Sequence, residues 1–592
     1  MTALRPLRLW PGIIGAALIL VGGAMAPIRV ASMGGVLVAI VGALVVLIWW
    51  LLFSRAPWLD RIAGVALIAV AIYAMRPLLD RSIATGAMGF LPILSLPVFA
   101  LVLVLWAAAT RARPATTRRV LLVVGVIIAA GACMLVRTAG VRGGGGFDFH
   151  WRWTPTPEER LLAQGNDDPV PATPAAPILT PAPPVSTPNI AGATPAVPVS
   201  NSKRPADWPG FRGPNRDGVI RNVHLVTDWA SSPPVELWHR AIGPGWSSFA
   251  VDRGLIYTQE QRGEDEIVAC YRLSNGEPVW RHRDHVRFWE SNGGAGPRGT
   301  PTLAGGRVYT FGATGILNVL DADTGVVIWS RNASTDTKTK TPMWGFSSSP
   351  LVTGDLVVVA TSGKLVAYDL ATGAPKWYGP AHRGSYSSPQ LVVLDGVAQI
   401  LLLTADGVTS VAPDSGTILW EHTWGGEGTP IVQPAVTEDG GVLIDAITGM
   451  GGLGIRRLAV SHDTGKWIAT ERWTSTGLKP YFNDFVVHKG HAYGFDGSIL
   501  SCIDLADGTR KWKGGRYGSG QLVLLPDVDA LLVVSEEGDL ALVSATPNEF
   551  KELARVPGID GKTWNHPVIV GDTLLIRNGE VMAAFKLALG VR

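Results

Sequence analysis

The chain has 592 residues, 47% of them apolar, with a formal net charge of +3; it is too long for one ordinary domain and too apolar for a purely soluble one. The charge is unevenly spread: residues 1–140 hold 12 Arg, two acids (Asp60, Asp80) and no Lys, leaving 39 basic and 46 acidic side chains for the rest. A mildly acidic soluble part argues against nucleic-acid binding, which needs a positive surface to displace counterions from phosphate. Three cysteines without CxxC or CxxCH spacing exclude a disulfide scaffold and the metal or haem sites built on those motifs.

Five apolar runs come first, at roughly 12–28, 33–53, 62–79, 88–109 and 120–137, most of them approaching the ~20 residues needed to cross a hydrocarbon core. A cleaved signal peptide would account only for the first, and no cleavage site follows it. Arg76 and Pro77 make the third run the weakest. With the N-terminus inside, the inner segments hold eight arginines and the outer ones five, so the positive-inside bias places everything after residue 140 outside the cytoplasm. No His precedes His150 and no acid lies mid-span, which favours an anchor over a haem-binding or proton-pumping domain; a quinone-docking domain is the other reading. Residues 1–140 are thus expected to be a helical anchor of about five spans in the bacterial inner membrane.

Residues 141–206 open with VRGGGG, and 14 prolines fall between Pro155 and Pro209. Such composition cannot bury a core and favours extended backbone, so this stretch is expected to be a flexible linker holding the next domain, residues 207–592, away from the bilayer.

That domain is built from a repeat. Six segments read as strand, Gly turn and short strand ending in Trp: YRLSNGEPVW, LDADTGVVIW, YDLATGAPKW, VAPDSGTILW, AVSHDTGKWIATERW and IDLADGTRKW. They close on Trp280, Trp329, Trp377, Trp420, Trp473 and Trp512, and Trp238 and Leu553 extend the series. The 315 residues from Trp238 to Leu553 make seven steps of 45, the length of a four-stranded propeller blade. Gly325, Gly373, Gly416, Gly465 and Gly508 supply the positive φ of the turn, and each Trp is read as a wedge between blades. The final unit has only three strands; residues 235–240 can supply its fourth, which closes eight blades and removes the edge strands. Cys270 and Cys502 occupy equivalent positions in non-adjacent blades, too far apart for a disulfide, and are expected to be free, buried thiols.

The xxDxxTGxxxW pattern, in six copies over roughly residues 205–590, resembles the tryptophan-docking motif of pyrroloquinoline quinone (PQQ) repeat propellers, and DWPGFRGPNRDGV (Asp207–Val219) resembles their lead-in. The resemblance implies an all-β eight-bladed propeller and two kinds of function. One is that of cofactor-free propellers such as the lipoprotein of the outer-membrane β-barrel assembly machinery, which bind protein partners. The other is that of quinoprotein dehydrogenases, which hold PQQ and Ca²⁺ on the propeller axis and oxidise alcohols or sugars. The membrane-bound glucose dehydrogenases resemble this layout. The propeller is compact, lacks an adjacent Cys-Cys pair, and presents no convincing Glu, Asn and Asp set for Ca²⁺; there is also no lipobox cysteine near the N-terminus. The expected function is therefore a periplasm-facing binding or scaffold module for an envelope protein or small ligand, with no resident cofactor. The alternative is a PQQ-dependent dehydrogenase passing electrons to membrane quinone.

A ligand would sit where the innermost strands enter the channel. Aligned on Pro301, Pro350, Pro389, Pro430 and Pro567, the position three residues earlier reads Trp246, Arg298, Ser347, Tyr386, Glu427, Phe482 and Trp564, with Trp344, Asn483, Asp484 and His566 nearby. Aromatics with Arg and Glu around a channel can stack and orient a planar or acidic ligand; alternatively they plug the channel and bond loop backbones. No catalytic or metal-binding residue is assigned.

Overall fold

The computed structural model describes residues 8–590 apart from 25–29, 32, 87–88, 90–92, 94, 144–145, 166–168, 170–204, 425 and 449–450. The apolar runs form helices Trp10–Ala24, Met33–Ile48 (continued by a π-turn, Trp49–Phe53), Trp58–Met75, Leu96–Thr110 and Ala115–Met134. Among the described residues, three stretches are long and apolar enough to cross a membrane, Gly34–Phe53, Trp58–Leu78 and Ala115–Met134, while Trp10–Ala24 and Leu96–Thr110 are shorter. The first two helices pack backbone to backbone. A Cβ on Gly15 would lie 2.8 Å from the Gly42 carbonyl, and one on Gly42 would lie 2.7 Å from the Gly15 carbonyl. Small residues permit this close approach of two helix backbones.

Eight four-stranded antiparallel sheets follow. Blades 1 to 7 are consecutive meanders beginning at Ala250, Thr302, Leu351, Gln390, Ala435, Val486 and Gln521. Blade 8 joins three strands within Val568–Lys586 to Val235–Ala241, with Val581 opposite Ala241 and Lys586 opposite Val235, the closure expected from the missing fourth strand. The core lies between blades, where middle strands such as Leu356–Thr361 and Ala530–Val534 are buried throughout. Cys270 and Cys502 are free and buried.

The closing tryptophans are wedges with a defined partner. Trp280 Nε1 donates to the Ala322 carbonyl of the next blade (3.0 Å), and Trp238, Trp329, Trp377, Trp473 and Trp512 make the same kind of bond to Leu273, Leu370, Pro413, Leu505 and Thr546. The indole also lies flat against the next turn: a Cβ on Gly325, whose φ is +72°, would come within 2.5 Å of Trp280. That glycine is thus required twice, by its dihedral and by its neighbour. Trp420 departs from the rule, donating to Gln399 Oε1 (2.7 Å) in its own blade. Blade 5 has a 13-residue third strand, Gly451–Asp463, so its Gly465 turn overshoots the wedge and has no neighbour within 4 Å of a Cβ. Trp280→Phe, which removes the donor together with part of the buried indole, should lower the urea unfolding midpoint by more than the equivalent of the hydrogen bond alone, about 0.5–1.5 kcal/mol, whereas Trp420→Phe should leave the adjacent blade's exchange protection unchanged.

The expected linker begins later than residue 141. Val136–Val141 and Phe147–Trp151 pair as a hairpin, and Pro157–Ala163 forms a helix with a Thr156/Glu159 capping box. Both dock on the propeller: Val141 N donates to the Asn292 carbonyl (2.8 Å), and Glu158 takes both Arg287 nitrogens (2.7 and 2.8 Å). Composition pointed to a spacer because glycine is read as freedom; here it permits contact. Residues 170–204, most of the proline-rich stretch, lie outside the described residues.

Candidate functional site

Seven of the eight inner strands begin four residues after a side chain that faces the channel, as Trp246 before Ala250, Arg298 before Thr302 and Trp564 before Val568 illustrate. These positions converge on a chamber of about 670 Å³, within the usual size of small-molecule sites. Trp246, Arg298, Trp344, Tyr386, Asn483, Asp484, Trp564 and His566 all line it, as do Ser347 and Phe482.

Glu427 does not line it; its side chain is exposed. The alignment on Pro430 was out of step, because the residue preceding the blade 5 inner strand is Pro434, and three residues before that stands Ile431, which lines the chamber. In blade 7 the corresponding Tyr517 turns away to bond Glu552, and Ser519 and Gln521 face the chamber instead.

Aromatic faces dominate the chamber. Trp564 is central, with ring centroids 4.7 Å from Trp246 and 4.8 Å from Phe482. Arg298 is buried and committed to structure. Its nitrogens donate to the carbonyls of Gly294, Ala295, Gly296 and Trp344, and one lies 3.3 Å from Glu290. Trp246 Nε1 likewise donates to Gly293 O (2.8 Å). For these two residues the loop-bonding role applies, so the chamber offers stacking surface and hydroxyls more than free positive charge.

Both ends are covered by the chain itself. At the floor, the lead-in segment crosses beneath the blades: Trp208 pairs with Val251 and Val219 with Leu524, while Arg216 donates to Ser349 and Pro350 carbonyls. Phe211 rises from it into the chamber and meets the His566 ring edge-on at 5.0 Å. Beside it, buried Asp484 lies 3.1 Å from Arg212 Nη1 and 2.7 Å from His566 Nε2. Burial alone would raise the Asp484 carboxyl, but Arg212 and His566 outweigh burial and hold it below the ordinary range. A carboxylate so paired is a poor general base. Asp445, fully buried in blade 5, is pushed well above the carboxylate range by burial and by Asp484.

At the roof sits the hairpin. Gly143 N donates to Glu536 Oε1 (2.6 Å), whose same oxygen accepts Trp564 Nε1 (2.9 Å), and Val141, Arg142 and Gly143 line the chamber. Lys562 Nζ donates to the Val141 carbonyl (3.1 Å) and stands 4.5 Å over the Trp564 ring. Burial under the hairpin lowers its ammonium to about 8 despite the attraction of Glu536. Between about 8 and the ordinary 10.4 the folded chain has released the Lys562 proton that the unfolded chain keeps, so this residue's own contribution to stability rises with pH over that window, against the falling contribution of Cys270 and Cys502, whose buried thiols are pushed up. Lys562→Met should remove this contribution, so that the stability of the variant falls more steeply with pH than that of the unsubstituted chain, as read from urea midpoints of both proteins across the window. The roof residues and Lys562 escaped the sequence reading; the one available signal was VRGGGG, glycine where backbones can approach closely.

A closed ring of eight blades around an aromatic chamber, joined to apolar helices by a docked hairpin, defines a β-propeller with PQQ-like repeats. The chain belongs to the PQQ_2 family, described as outer membrane protein assembly factor BamB, which matches residues 234–395 and 404–573. It is 25% identical over 380 residues to outer membrane protein assembly factor BamB of Shewanella oneidensis, covering 58% of this chain and 86% of that protein. The protein of the same name from Yersinia pestis is 27% identical over 341 residues, covering 52% of this chain and 81% of that protein. Among solved structures it is similar to BamB from Moraxella catarrhalis (16% identity, TM-score 0.44, 61% of this chain and 99% of that one). Another is quinohemoprotein alcohol dehydrogenase ADHIIG from Pseudomonas putida HK5 (14%, TM-score 0.44, 67% and 82%). The helices and the hairpin precede the family match.

Proposed function

We propose that this protein is a multi-pass inner-membrane protein whose periplasm-facing propeller is a binding module, with the roofed aromatic chamber as its small-ligand site and an envelope protein as its partner. The observation that carries the reading is the chamber itself: the clustered Trp246, Trp564 and Phe482 rings, tilted 35° and 52° to one another, with Ser347, Ser349 and Ser388 around them, suit a planar organic molecule with polar edges. The names of the family relatives, assembly factors of the outer membrane, support an envelope partner. Membrane insertion is supported by exposed tryptophans at both ends of the helical region. Trp10 and Trp58 stand where their helices begin, and Trp151 and Trp153 stack 5.2 Å apart beyond the last helix, the pattern of interfacial belts.

The chamber also suits a second reading, PQQ-dependent oxidation of an alcohol or sugar, favoured by its flat aromatic walls. The residues present do not fit the accompanying Ca²⁺: among the described residues no three His, Cys, Asp or Glu converge to hold a metal ion, and Asp484 is paired with Arg212 and His566. One titration separates the readings. PQQ, used as a planar anionic probe with and without Ca²⁺, is added to the full chain in detergent while tryptophan fluorescence and dye-linked oxidation of ethanol or glucose are followed. Quenching that Trp564→Ala weakens, without dye reduction, is the expected result. Dye reduction dependent on PQQ and Ca²⁺ would replace the binding-module reading by the enzymatic one.

A further inference from the structure

A second cavity, of about 820 Å³, lies outside the chamber, between the helical region and the hairpin. Its wall is apolar, with Met75, Leu79 and Val98 from the helices and Phe149 and Trp151 from the hairpin. Its polar end carries two arginines, Arg137 and Arg160. Arg137 Nη2 donates to the Thr154 carbonyl (2.9 Å), but its buried Nε has no partner. Arg160 Nη1 donates to the Pro155 carbonyl (2.9 Å), and its Nη2 stands 3.8 Å from Glu580. Glu580 is the carboxylate lining this cavity; burial raises its pKa, against the attraction of Arg160. His150 also lines the cleft, 4.0 Å from Asp148.

We propose that this cleft binds an anionic phospholipid, its phosphate held between Arg137 and Arg160 and its acyl chains against the helices. The inference rests on the membrane-spanning reading. Two observations join to make it: an apolar wall formed by helices that would face acyl chains, and a polar end where two guanidinium groups outnumber the one carboxylate, Glu580, beside Trp151 of the Trp151–Trp153 stack. Guanidinium groups are the side chains best shaped for phosphate oxygens.

The test uses the full chain. Sodium carbonate treatment of host membranes first reads the underlying assignment: a chain released by carbonate overturns the membrane reading and this proposal together, while one released only by detergent supports the former. Native mass spectrometry of the detergent-purified chain with phosphatidylglycerol, phosphatidylcholine or inorganic phosphate then reads the site. Preferential retention of phosphatidylglycerol is expected, weakened about fivefold by Arg137→Gln and separately by Arg160→Gln, since each arginine near an anionic lipid contributes about that factor. Arg160 is more than half exposed (54%), so its variant leaves the fold intact. Equal retention of the two lipids, or a preference that both variants keep, overturns the site alone. Displacement of phosphatidylglycerol by millimolar inorganic phosphate would assign the cleft to free phosphate and overturn the lipid.

Discussion

Asp484→Ala should lower the unfolding free energy of the propeller by about 3–5 kcal/mol, read from urea denaturation of the full chain followed by tryptophan fluorescence. Asp484 and Arg212 are 2% and 3% exposed at their side chains and stand 3.1 Å apart, with His566 on the other carboxylate oxygen. Removing the carboxylate strands the Arg212 charge in the interior, and the cost of that exceeds the net value of the pair. Arg212 also holds the lead-in segment to blade 6 through the Phe485 carbonyl (2.5 Å), so the floor of the chamber should loosen with it. The double variant Arg212→Met, Asp484→Leu, which removes both charges, should be milder than either single change. A loss below about 1 kcal/mol in Asp484→Ala would sink the assignment of this pair as the anchor of the floor. The pH dependence follows from the same pairing. The depressed carboxyl contributes its stability in full above the unfolded value near 3.9, and that contribution disappears as pH falls through the lower folded value.

The second large effect is expected at the roof. Gly143→Val should detach the hairpin from the propeller, because a Cβ at this position would lie 1.6 Å from Ser519 Oγ, with Glu536 Oε1 also close at 3.3 Å. Relief requires the hairpin backbone to lift, breaking the Gly143 N to Glu536 bond and straining Val141 N to Asn292 O. Overpacking of this kind costs about 1–3 kcal/mol, enough to make the undocked state dominant if docking is marginal. Amide hydrogen exchange is the readout: Val141 and Gly143 should lose protection while the middle strands of the blades keep theirs. Gly140→Ala should act in the same direction, since its φ is +103° and a Cβ would meet the Asn292 carbonyl at 2.1 Å. Unchanged protection at Val141 in both variants would refute the docked roof. Because Val141, Arg142 and Gly143 line the chamber, undocking should also change probe binding there, which ties the helical region to the chamber.

Much of the architecture was legible because it is written in local chemistry. The strand, Gly turn and Trp of each outer hairpin recur at a blade's length, and a terminal unit one strand short implies closure by an N-terminal strand, which Val235–Ala241 supplies. The channel-facing positions were found because a strand's entry residue has a fixed relation to its first hydrogen bond. Glu427 falls outside that relation because two prolines, Pro430 and Pro434, precede the blade 5 inner strand, and Pro434 is the one that adjoins it.

What local pattern could not contain is any contact between segments far apart in the chain. Arg298 was found, but only the folded loops show its donors already engaged by four carbonyls. Lys562 became a roof residue because the hairpin lies across it, more than 400 positions away in sequence. Glycine is the general reason for the largest surprise: in a sequence it signals freedom, and in a fold it equally signals the closest approach of two backbones. The blades and their closure follow from short-range turns, wedges and periodicity; the roof, the floor and the cleft beside the helices follow from packing, which alone decides whether a glycine is loose or locked.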